Sequence, residues 1–134
     1  MIPTGNNILT VNLEVKSQPS KQHAMILDKN RIVGTCDKLQ AVKQAVFKIL
    51  STERYEYLIY SWNYGIELKD LFGKSPMYVC PEIERRVKEA LLQDDRITGV
   101  TDFDFDTTNR GVISVTFTVH TPFGDLDEGM VVNI

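Results

Sequence analysis

Three aspartates at alternate positions, Asp102, Asp104 and Asp106, are the residues whose type and spacing most invite chemistry, because D-x-D-x-D opens the calcium loop of helix-loop-helix proteins. That loop also needs a glycine at its sixth position and a glutamate at its twelfth. This chain has Thr107 and Ile113 there. Phe103 and Phe105 stand between the carboxylates and call for burial, which suits a strand with one solvated acidic face and not a loop wrapped round an ion. Glycoside hydrolysis is the next chemistry to test. It needs one carboxyl kept protonated in an apolar pocket and a second one close by. Glu56, Glu67, Asp70 and Asp125 are candidates, but with 18 acids in 134 residues chance pairs are unavoidable, and no motif selects one. Nucleophilic catalysis lacks a G-x-S-x-G elbow, and His23 and His120 fall on strand-like stretches whose polar face they share. Cys36 and Cys80 lie 44 residues apart with no C-x-x-C and no neighbouring histidine, so packed, reduced thiols are expected and a zinc site is not. The glycines stand singly, as turn and cap residues do, and form no phosphate loop. No cofactor and no metal are expected.

A different signal comes from Tyr55, Tyr57, Tyr60, Trp62 and Tyr64: four of the five tyrosines and the only tryptophan fall within ten residues. Aromatic side chains with a polar tip supply contact area at low entropic cost, which favours them in protein interfaces. The same residues can equally pack in the monomer core, and the sequence leaves both readings open.

The elements that would position these residues follow from periodicity. Residues 1–7 are expected to form a flexible lead-in, and residues 8–134 a single domain. Leu9, Val11, Leu13 and Val15 alternate with polar residues and predict a strand. Residues 23–27 and 32–36 predict two more, joined by the turn composition Asp28, Lys29, Asn30, Arg31. Asp37 with Gln40 fits a capping box ahead of Leu39, Val42, Val46, Ile49 and Leu50, predicting a helix over residues 38–52. The aromatic stretch that follows is β-prone and reads as extended, closed by a turn at 63–65. A short helical turn in 66–72 should stop at Gly73. Pro81 is expected to open the second helix, with Ile83, Val87, Ala90 and Leu91 on one face and Glu82 and Glu84 at the positive end of its dipole. The last third is β again: Thr101, Phe103 and Phe105 alternate with the aspartates, and Ile113, Val115, Phe117 and Val119 should be buried against Ser114, Thr116, Thr118 and His120. Asn109 to Gly111 would turn the chain between them, and a final strand is expected over 130–134. The fold class is α+β, two main helices packed on a mainly antiparallel sheet.

A chain of 134 residues with 43% hydrophobic and 25% charged residues has enough surface to bury one core. Its apolar runs are about four residues long, far short of the roughly 20 of a bilayer span, so no membrane partner is expected. No basic stretch followed by an apolar block opens the sequence, which points to the cytosol. Residues 1–66 carry 8 Lys and Arg against 5 Asp and Glu, and residues 67–134 carry 7 against 13. The cations are scattered, so nucleic acid is not an expected partner either, since phosphate neutralisation needs them gathered on one face.

Longer strings identify more than any motif. The run of residues 50–68 (LSTERYEYLIYSWNYGIEL), the run 82–97 (EIERRVKEALLQDDRI) and Val115-Thr-Phe-Thr-Val-His-Thr closely resemble the XkdS-like proteins of defective prophages and other contractile-tail particles. The resemblance covers nearly the whole chain. More distantly, the chain is similar to the baseplate wedge protein that starts sheath assembly, a family sometimes labelled lysozyme-like. In that broader family a Glu-Pro-Arg tripeptide ends the last helix before an apolar residue. Here the matching positions are Asp94, Asp95, Arg96 and Ile97, which keep the acid and the arginine but not the proline. Tyr64 and Gly65 match the family's aromatic-glycine turn, with Ser61 and Trp62 replacing its usual arginine and proline. The resemblance implies that this corner, with Trp62 and Tyr64, binds a baseplate J-like wedge protein. It also implies further contacts with the tail sheath protein and other baseplate or hub subunits, in a particle assembled in the host cytoplasm. It implies a structural, non-enzymatic role; a tail-associated peptidoglycan hydrolase is the rival that the lysozyme-like label raises.

Overall fold

The computed structural model describes Glu14, Lys16 and residues 20–134. The lead-in 1–7 and, apart from Glu14, the strand expected over 9–15 lie outside the described residues. Strands β1 (Gln22–Ile26) and β2 (Arg31–Cys36) pair antiparallel around a 3-10 turn at Leu27–Lys29. Asn30 closes that turn in the left-handed conformation, φ 47°, with its N–H bonded to the Leu27 carbonyl. Asparagine tolerates that geometry better than most residues, which is why the turn composition was legible.

Helix α1 (Lys38–Leu50) begins after Asp37, whose carboxylate accepts the Lys38 N–H at 2.7 Å. The cap bond therefore reaches the next residue, and the capping box expected with Gln40 does not form. Ala41, Val42, Val46 and Ile49 are buried at helical spacing. The helix ends at Leu50, two residues before its expected limit.

The aromatic stretch forms no strand. It runs as successive turns pinned at the neck, where Glu53 and Ile66 form an isolated parallel bridge, Arg54 N–H bonds the Ile66 carbonyl at 3.1 Å and Ile66 N–H bonds the Thr52 carbonyl at 3.0 Å. Gly65 makes this neck possible: its φ is +95°, and a Cβ there would stand 2.6 Å from the Thr52 carbonyl oxygen. Tyrosine favours strands only where a pleated, half-buried surface awaits it, and here none does.

The short helical turn appears at Lys69–Leu71. Helix α2 (Pro76–Leu91) then starts five residues earlier than expected, with Pro76 in its first turn and Pro81 inside it. Glu82 and Glu84 consequently sit in mid-helix, where they pair with Arg85, Arg86 and Lys88 and do not cap the dipole. Val79, Ile83, Val87, Ala90 and Leu91 form its buried face.

Strands β3 (Gly99–Asp106), β4 (Val112–Thr121) and β5 (Gly124–Asn133) make an antiparallel meander in that order. β5 is longer than the strand expected at 130–134. Ile113, Val115, Phe117 and Val119 are all buried, as their alternation predicts. β3 carries a bulge between Thr101 and Asp104, with Asp102 at φ 57°. The extra residue reverses the pleat, so Val100 is buried and Thr101 exposed on one side of the bulge, while Phe103 and Phe105 turn inward on the other. Thr101 therefore does not share the inward face with the two phenylalanines, contrary to the simple alternation. Phe103 stacks on Phe117 at 5.3 Å. The fold is α+β: two helices pack against the inner face of the meander, and the β1–β2 hairpin forms a second, separate antiparallel sheet beside α1. Among the described residues no helix is long and apolar enough to cross a membrane.

Candidate functional site

The aromatic loop is held from inside by one arginine. Arg54 donates Nε–H to the Trp62 carbonyl at 2.8 Å and Nη1–H to Glu89 of α2 at 2.8 Å, while its guanidinium lies 4.9 Å from the centre of the Tyr55 ring. Tyr60 stacks on Tyr64 at 4.5 Å, Tyr57 meets Tyr60 edge-on, and Tyr55 leans on Trp62 at 5.6 Å. Of the two readings open for these aromatics, exposure favours the surface: Leu58 is fully exposed, Ile59 84% and Trp62 80%. Only Tyr64 packs against the core.

The corner follows directly after α2, the helix to which Arg54 ties the loop. Asp94 accepts three bonds from Arg96: its backbone N–H at 3.0 Å, Nε at 2.9 Å and Nη2 at 2.6 Å. Burial opposes ionisation of Asp94, but these bonds outweigh it and hold its carboxyl below the usual aspartate range. Burial pushes the Tyr64 phenol up, and the neighbouring Tyr60 and the Asp94 charge push the same way, so the corner and the loop share one electrostatic environment. Asp95 is exposed and Ile97 is 4% exposed, its side chain part of the core. Of the six residues singled out, Trp62 and Asp95 face outward, Tyr64 on the loop and Asp94 and Arg96 at the corner are half-buried, and the Ile97 side chain anchors the corner in the core.

Residues that sequence reasoning passed over do much of the positioning. Arg86, 9% exposed, binds the Glu67 carbonyl at 2.7 Å, grips both oxygens of Asp70 and reaches Glu82. It thereby ties the stretch after the loop to α2, and the Arg86 hydrogen bond holds the Asp70 carboxyl below its usual range. Arg86 lies one turn after Glu82, a spacing that reads as an ordinary surface pair. Its long-range partner Asp70 becomes visible only in three dimensions.

Three of the four carboxylates considered for catalysis are engaged by other groups, while Glu67 is exposed. Glu56 pairs with Lys69, Asp70 with Arg86, and Asp125 with His120. His120 Nδ1 is 2.8 Å from Asp125 and Nε2 is 2.7 Å from the Thr101 hydroxyl, a carboxylate, imidazole and hydroxyl in the order of a hydrolase triad. It lies across three adjacent strands on the sheet's outer face, where it ties β3 and β5 to β4. Among the described residues no three His, Cys, Asp or Glu side chains gather as a metal site. Asp102, Asp104 and Asp106 are exposed along β3.

Comparison with known proteins adds two findings. A family model described as "Contractile injection system sheath initiator" matches residues 8–124. "Phage-like element PBSX protein XkdS" of Bacillus subtilis (strain 168) is 37% identical over 123 residues, spanning 87% of this chain and 86% of that protein.

Proposed function

The chain belongs to the contractile injection system sheath initiator family, and from that premise we propose that it links the wedge ring of a contractile-tail baseplate to the sheath and helps the first sheath subunits assemble. The observation that carries the wedge contact is the Arg54–Glu89 bond, which ties the exposed aromatic loop to α2, the helix that the corner at residues 94–97 follows. Trp62, Leu58 and Ile59 supply exposed apolar area, and Arg96, pre-oriented by Asp94, supplies a planar donor group. The J-like wedge protein is the partner we propose for this surface. The sheath is served differently: among the described residues β3 and β5 each have a strand neighbour on one side only, and strand addition to such an edge uses main-chain hydrogen bonds and no catalytic residue. Other baseplate and hub subunits complete the surroundings, with assembly in the host cytoplasm before incorporation into the particle.

Arg96→Ala and Trp62→Ala test the wedge contact. Each should leave the isolated chain folded, with a stability change of about 1 kcal/mol or less for Trp62→Ala and about 1 to 3 kcal/mol for Arg96→Ala, which leaves the half-buried Asp94 without its side-chain donors, and each should weaken capture of the J-like partner about tenfold or more. Calorimetry with that partner, run beside thermal melts, decides the matter. Unchanged affinity with a large fall in melting temperature for Arg96→Ala would make the Asp94–Arg96 pair purely structural.

A further inference from the structure

Charge and apolar surface are sorted to opposite sides of the three-stranded sheet. On the side where α1 packs, residues 20–50 carry Lys21, Lys29, Arg31, Lys38, Lys43 and Lys48 against only Asp28 and Asp37. Among those cations the hairpin exposes Ile26, Leu27, Ile32 and Val33. A groove of about 400 Å³ opens between hairpin and α1, walled by Ala24, Met25, Leu27, Cys36 and Phe47. The opposite, outer face of the sheet is covered by neither helix. There β4 presents Ser114, Thr116, Thr118 and His120, flanked by Asp102, Asp104 and Asp106 of β3 and by Asp125 and Asp127 of β5. The three strands contain no lysine and no arginine. Among the described residues nothing covers this face, where five carboxylates lie together, Asp125 bonded to His120, and neighbouring like charges repel unless something neutralises them.

We propose that the basic, apolar hairpin of one copy of this chain seats on the acidic outer sheet face of a second copy. Both halves of the complementary pair are carried by the same molecule on different sides. The contact is therefore heterologous, and repeated head to tail it closes a ring or extends a row of initiators. Lys29 and Arg31, at the turn and the start of β2, meet the aspartate rows. Ile32 and Val33 meet the threonine methyls and the exposed Val131. The attraction is largely electrostatic, so it should fall steeply with salt. This inference stands apart from the wedge contact, which uses other residues.

Sedimentation velocity of the full chain tests it. The wild type should self-associate at low ionic strength and do so about tenfold or more weakly in about 0.5 M salt. Two variants reverse the charge of one side each: Lys29→Glu with Arg31→Glu, and Asp104→Lys with Asp127→Lys. All four positions are exposed, so each variant should fold, which circular dichroism checks. Each variant alone should be monomeric, since like charges now face each other. An equimolar mixture of the two should associate again, because every contact between unlike copies is then complementary. A wild type that stays monomeric to about 1 mM at low salt overturns the proposal, as does association that survives both reversals. A monomeric wild type whose hairpin variant alone loses capture of the tail sheath protein would overturn it too and give the hairpin groove to the sheath.

Discussion

Phe117 is 2% exposed and stacked on Phe103, whereas its neighbour Thr116 faces solvent on the same strand. Removing the ring leaves a cavity in the middle of the core, so Phe117→Ala should cost about 3 to 5 kcal/mol. Thr116→Ala should cost well under about 1 kcal/mol. Chemical denaturation of the two variants separates them, and equal losses would mean that the strand faces were misassigned. Glu128 shows the opposite balance. It points to the inner side of β5, its Oε1 is buried without a hydrogen bond, and the nearest cation, Lys43 Nζ, stands 3.8 Å away. Burial pushes its carboxyl up; Lys43 pulls it back only in part, and Asp127 adds to the rise. The folded state therefore holds this proton more tightly than the unfolded chain does. Its contribution to stability is complete below the unfolded glutamate value and is lost as pH rises through the folded one. Glu128→Gln should accordingly raise the melting midpoint at neutral pH, with the gain disappearing near about pH 4, where both states carry the proton. A gain that stayed constant with pH would refer the effect to packing.

At the scale of elements, α2 holds a proline where helices normally exclude it. Pro81 has no N–H to give the Met77 carbonyl one turn earlier, and its ring crowds that turn. The residue is exposed, so nothing in the core depends on the ring. Pro81→Ala should therefore stabilise the chain, by up to about 3 kcal/mol, as read from the denaturant midpoint. A loss of stability would mean that the proline itself is needed to bring Val79 and Ile83 into the core together. The helix tolerates the proline because its apolar stripe is buried on both sides of it. The aromatic loop keeps its shape by other means, the Gly65 neck and the Arg54 bonds to Trp62 and Glu89. These let it present Leu58, Ile59 and Trp62 to solvent without a strand or helix beneath them.

For the whole molecule, the expected outcome with purified peptidoglycan is no turnover by the full chain. Turnover abolished by Glu56→Gln, Glu67→Gln or Asp125→Asn would favour the hydrolase reading instead. The sequence by itself determined the α+β class, α1, the turn at Asn30 and the buried row of β4. Each rests on a local period or on one turn residue, and a local pattern is complete within a few neighbours. It determined the family as well, through long strings whose matches need no folded structure. The tertiary structure alone decided where the aromatics go, because tyrosine and tryptophan suit a pleated surface or an interface equally and only the packing around them chooses. It moved the start of α2 from Pro81 to Pro76, since both prolines fit a first turn and the burial of Val79 extends the helix to the earlier one. It placed the β3 bulge, where one extra residue reverses the faces that alternation assigns. The meeting of Arg54 with Glu89, and of Asp70 with Arg86, was likewise decided there. Partners so far apart in sequence meet only once the core between them has closed, and no local period encodes that.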